Sequence, residues 1–103
     1  MSVKIGRYAF EGIFDNIDAI DNKSGVYAVY SIKGKKATLI DVGESAKVHD
    51  RLKNHTRKDC WAKVNPDGKW GFAIHFTYGL HKAGRLHVEQ EIRRNHNLAC
   101  GIR

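Results

Sequence analysis

The sequence predicts an α/β (α+β) domain: a small, three-stranded, mainly antiparallel sheet flanked by helices. Three observations predict it. Two β-prone runs, Val26–Ile32 and Ala37–Val42, are separated only by Lys33-Gly34-Lys35-Lys36, whose glycine can take the positive φ of a tight hairpin. A third run, Trp70–Tyr78, sets Trp70, Phe72, Ile74 and Phe76 at period two, opposite the smaller Gly71, Ala73, His75 and Thr77. Elsewhere the apolar period lengthens towards 3.6, as a helix requires.

Residues 1–24 read as a lead-in. Arg7–Phe14 is an extra strand or an extended segment packing its aromatics, and Asn16–Ile20 makes a short helical turn that Asn22-Lys23-Ser24 breaks. After the hairpin, Val42 stops at Gly43, and Ser45 is a plausible cap for a helix in which Val48 and Leu52 lie one turn apart. Arg51 and His55 are one turn apart beside that stripe. Thr56–Lys69 reads as a basic run, an aromatic and an Asn-Pro-Asp-Gly turn. Arg57, Lys58 and Lys63 with Trp61 and Trp70 could contact phosphates and stack on a base; the tryptophans serve equally as core anchors. The last helix runs from about Ala83 to Asn95. Its apolar arc of Leu86, Val88 and Ile92 includes Glu89 and excludes Glu91. A carboxylate on the buried side requires an arginine or a metal.

At 103 residues and 42% hydrophobic content, the chain supports one domain with a modest core. The net charge of +7 is unevenly placed, since residues 47–103 carry twelve basic against five acidic side chains. A basic half suits an anionic partner, nucleic acid first, and is also compatible with a merely solvated surface. Cys60 and Cys100 lie forty residues apart without a CxxC spacing, so no disulfide framework is expected. With no apolar run of membrane-spanning length and no signal-peptide core, a reducing, cytoplasmic setting is expected, with no membrane partner.

Residues 25–101 carry an ordered set of motifs. Gly25-Val26-Tyr27 is followed by Asp41-Val42-Gly43, by Arg51 eight residues past Gly43, and by His55. Glu89-Gln90-Glu91-Ile92-Arg93-Arg94 and then Asn97-Leu98-Ala99-Cys100-Gly101 complete the set. In this order and spacing the chain resembles the GIY-YIG nucleases. The match implies a single small GIY-YIG-like domain over residues 1–103.

That resemblance implies metal-dependent endonucleolytic cleavage of DNA, with a catalytically inactive nucleic-acid-binding module on the same fold as the alternative. It implies one Mg²⁺ or Mn²⁺ ion on Glu89, a phosphate-binding Arg51, and Tyr27 and His55 beside the attacking water. Gly43 would let phosphate approach the backbone. A carboxylate-held hard cation, a planar guanidinium fork and a proton acceptor are what phosphodiester hydrolysis needs. Each residue also has an ordinary reading. Tyr27 suits a strand, His55 a helix C-terminus, and Arg51 an ion pair with Asp41 or Glu89. The chain departs from the family pattern at Asp41, where a tyrosine is usual, and at Gly101, where an asparagine is usual. Asp41 could join the metal site, act as a base or mark lost activity. A two-residue turn at Gly34-Lys35 puts Asp41 opposite Ala28, off the face of Tyr27, unless a bulge intervenes. Sequence selectivity is expected to be weak, or to come from a homodimer or a partner protein. A basic surface that meets an acidic protein is the third reading.

Overall fold

The computed structural model describes residues 2–101. Its elements are β1 (Ser2–Ile5), β2 (Tyr8–Phe14), a 3-10 turn (Ile17–Ala19), β3 (Gly25–Lys33), β4 (Lys36–Ser45), α1 (Val48–Lys53), α2 (Lys58–Val64), β5 (Trp70–Phe76) and α3 (Lys82–Asn95). The fold class is α+β as expected, but the sheet has five strands in the order β1-β2-β5-β3-β4, not three. All its pairings are antiparallel.

The two extra strands come from the lead-in. Gly6, at φ +59°, turns β1 back on β2, and β2 then pairs with β5. Along β2 the inward positions are Phe10 and Gly12, so the strand's period two is interrupted at a residue without a side chain. A Cβ at Gly12 would stand 2.7 Å from the Phe72 carbonyl oxygen, which is why the position is bare.

Two cores cover the two faces of the sheet. On one, Tyr27, Val29, Ile40, Phe72 and Ile74 pack with Val48 and Leu52 of α1 and Trp61 of α2. On the other, Val26, Ala28, Val42 and Ala73 pack with Val88 and Ile92 of α3 and with Ile5 and Phe10.

Helix α1 stops at Lys53, so the expected helix joining Arg51 to His55 is cut short, and His55 falls in the turn before α2. Ser45 ends β4 instead of capping α1; its hydroxyl accepts the Lys47 N–H. The first N–H groups of α1 go to the Lys23 carbonyl and the Asn22 side chain. Helix α2 occupies the segment read as a basic run with an aromatic.

Cys60 of α2 is disulfide-bonded to Cys100, which corrects the expectation of unbridged cysteines. Spacing is uninformative here because the segment after α3 returns along β4, where the Cys100 N–H donates to the Ile40 carbonyl. The cysteines therefore do not argue for a reducing compartment. Among the described residues no helix is long and apolar enough to cross a membrane. Closing a loop of sequence separation 40 stabilises a fold by about 4 kcal/mol, mainly through the unfolded chain. Reduction is expected to lower the melting temperature by more than about 10 °C. Thermal melts with and without a dithiol check this, and coincident curves would contradict it.

Candidate active site

The hairpin register decides what the two signature segments can share. From the turn at Gly34-Lys35, pairs run from Lys33 with Lys36 to Tyr30 with Leu39. The ladder then slips by one, and Val29 faces Asp41 while Tyr27 faces Gly43. This bulge at Ile40 brings Asp41 onto the face of Tyr27, as a simple two-residue hairpin would not.

Tyr27 is almost wholly buried, and its phenol lies over Gly43. A Cβ at Gly43 would collide with the Tyr27 oxygen and ring, so the first use of this glycine's small size is to seat the phenol rather than to admit phosphate. Gly43→Ala is expected to destabilise the domain by about 1–3 kcal/mol and to displace Tyr27. Urea unfolding checks this, and an unchanged midpoint would contradict it.

The Tyr27 oxygen is 2.5 Å from His55 Nε2. The Arg57 backbone N–H donates to His55 Nδ1 at 3.0 Å. With Nδ1 accepting, the imidazole proton sits on Nε2 and donates to the phenol oxygen. Burial, followed by the charges of Arg57 and Arg51, lowers the His55 pKa to about 4, so the ring is neutral at pH 7. Burial raises the Tyr27 pKa against the pull of the Arg57 and Arg51 charges, so Tyr27 is a phenol at that pH. Both guanidiniums thus lie within electrostatic reach of the pair. Arg51, in the last turn of α1, donates a long 3.4 Å bond to Thr56 Oγ1, and its guanidinium also pulls on the Tyr27 phenol by charge and by hydrogen bonding.

Asp41 is fully buried, and its acceptor sites are filled. Oδ1 accepts from Arg93 Nη2 at 2.8 Å and the Val42 N–H at 2.9 Å. Oδ2 accepts from Arg57 Nε at 2.8 Å and Trp61 Nε1 at 2.9 Å. Burial pushes the carboxyl up, but the hydrogen bonds from Arg57 and Trp61, the Arg57 charge and the Arg93 bond outweigh it and hold its pKa below the usual range. A carboxylate with about four acceptor sites, all taken, has none left for a metal or a water proton.

Arg93 also donates to the Val42 and Cys100 carbonyls. Its guanidinium occupies the space a side chain at Gly101 would need. Glu89, one turn earlier on the buried arc, accepts from Arg93 Nε at 3.4 Å, and its side chain is 18% exposed. Burial raises its pKa despite the nearby Arg93, and it also feels the charges of Glu44 and Arg57. Glu91 is not an idle surface residue: it pairs with Arg7 at 2.9 Å and accepts from Tyr8 at 3.1 Å, tying α3 to β2 and its turn.

Tyr27, His55, Asp41, Arg51 and Glu89 therefore fall into one neighbourhood at the β4 edge, with Arg57, Trp61 and Arg93 added. The sequence signal for the added residues was Asp41 itself, an acid in an apolar strand that had to be paired. Among the described residues there is no group of three or more His, Cys, Asp or Glu side chains able to hold a metal. Mg²⁺ needs no such cage, because it keeps several waters and binds through one or two carboxylates. Glu89, partly exposed and bonded to Arg93 Nε at a long 3.4 Å, is a carboxylate of the kind such an ion would use. Comparison of the chain with family models, curated proteins and solved structures returns no match.

Proposed function

We propose that the protein is a metal-dependent endonuclease that hydrolyses phosphodiester bonds in DNA. The observation that carries this reading is the hydrogen-bonded Tyr27–His55 pair beside Arg51, joined to Glu89 through Arg57, Asp41 and Arg93. Arg51 offers a planar fork to phosphate oxygens. His55 donates to the phenol oxygen and so favours the phenolate, and that oxygen takes the proton of the attacking water. A Mg²⁺ or Mn²⁺ ion held by Glu89 would supply Lewis acidity at the leaving oxygen. Sequence selectivity would come from a second copy or a partner protein.

This division of labour sets the pH dependence. Because Tyr27 must ionise and burial raises its pKa, cleavage is expected to accelerate with pH through the neutral and alkaline range. Rates measured from pH 5 to 10 check this. A plateau from about pH 5 upward would assign the base to His55, whose pKa is about 4.

Asp41 favours a second reading, a nucleic-acid-binding module without catalysis, because no hydroxyl stands where the family usually has one. Binding to duplex DNA that weakens steeply with salt is expected of both. Cleavage in Mg²⁺ separates them. Salt-insensitive or absent binding would instead favour an acidic protein partner.

A further inference from the structure

We infer that Arg57 is a second phosphate-binding guanidinium of this site, held in place by Asp41. The inference rests on the nuclease reading and deepens it by naming how the site grips the scissile phosphate. Three arginines are drawn into the fold around the β4 edge, and they spend their donors differently. Arg93, 5% exposed, uses all three guanidinium nitrogens on Asp41, Glu89 and the Val42 and Cys100 carbonyls. Arg85, 10% exposed, bonds Glu44, Ser24 and the Leu80 carbonyl. These two are braces.

Arg57 differs. It is 29% exposed, and among the described residues its guanidinium bonds only Asp41, through Nε. Nη1 and Nη2, the pair that makes a two-point fork with a phosphate, are left for a ligand. A buried carboxylate fixing Nε orients that fork in advance, so less rotamer freedom is lost when an anion binds. The Arg57 backbone N–H donates to His55 Nδ1, and its guanidinium shares Asp41 with Arg93, which also holds Glu89, so the fork belongs to the site.

The field around the pair asks for the same ligand. Arg57, Arg51 and Lys58 all act to keep His55 uncharged. Asp41 is enclosed, with its oxygens occupied, so it offers nothing to a cation from solvent. Two guanidiniums beside a neutral imidazole and a neutral phenol form a receptor for an anion, and a phosphodiester supplies one with two non-bridging oxygens. Asp41 acts as the positioning residue and Arg57 as the contact.

Calorimetric titration with inorganic phosphate at low ionic strength tests the assignment without requiring turnover. Arg57→Gln is expected to bind phosphate about tenfold more weakly than wild type. Arg94→Gln, which removes an exposed guanidinium from α3, is expected to bind as wild type does. Arg57→Lys keeps a cation beside Asp41 without the fork and serves if the glutamine variant does not fold; it too should bind more weakly. Equal affinity in wild type and either Arg57 variant overturns the inference. Plasmid cleavage by the same proteins separates it from the reading beneath it. Wild type that fails to cleave while binding phosphate through Arg57 overturns the nuclease and leaves the fork standing. Wild type that cleaves while its phosphate binding ignores Arg57 does the reverse.

Discussion

Asp41→Asn is expected to destabilise the fold by about 3–5 kcal/mol, the range for removing one partner of a buried ion pair. The substitution keeps the shape but strips the charge that faces Arg57 and Arg93, and it turns one acceptor oxygen into a donor. Two guanidiniums, an indole N–H and a backbone N–H would then compete for one oxygen. The same carboxylate sets an acid limit. Its folded pKa lies below its unfolded value of about 3.9, so its stabilisation is complete above that value and is lost as pH falls through the folded pKa. Unfolding of wild type and variant in urea from pH 7 down to pH 2 checks both points. Wild type should lose its advantage only in the acid range; equal stability at pH 7 would contradict the account. Asp41→Tyr is expected to impair both fold and cleavage, because a phenol offers fewer acceptor sites to the same donors.

Glu89→Gln is expected to reduce metal-dependent cleavage by about a thousandfold, equivalent to about 4 kcal/mol of transition-state stabilisation. Stability should change little, since the side chain is partly exposed and carries one long bond. Glu91→Ala is the matched control. It loses its ties to Arg7 and Tyr8, which are remote from the phenol–imidazole pair, so cleavage should stay near wild type. Initial rates in saturating Mg²⁺ check the pair, and equal losses in both variants would refute the division between the two glutamates.

Much of the arrangement was legible in the chain, for reasons that can be named. β3 announces itself as a run of branched and aromatic residues, α3 by an apolar arc at helical period, and Glu89 stands out as an acid on that buried arc. Strand β2 was legible as one of two readings of Arg7–Phe14, but not its place in the sheet, because one of its two buried positions is Gly12, which shows no hydrophobicity to count. Helix α2 was hidden by its length of seven residues and by the basic residues on its exposed side. The partners of Asp41 were illegible for another reason. The one-residue bulge that aims Asp41 leaves no composition signal, and Arg57 and Arg93 lie 16 and 52 residues away. The Cys60–Cys100 bond depends likewise on where the chain returns after α3.

The central claim is that Tyr27, His55, Arg51 and Glu89 form one hydrolytic site that works with a divalent cation. The most direct measurement is the conversion of supercoiled plasmid to open-circle and linear forms by purified wild-type protein and by Glu89→Gln, in Mg²⁺, in Mn²⁺ and in EDTA. Nicking by wild type in either metal, abolished by EDTA and by Glu89→Gln, is the result predicted here. Plasmid left intact by wild type in both metals, while still bound, or cut equally well by Glu89→Gln, would contradict it.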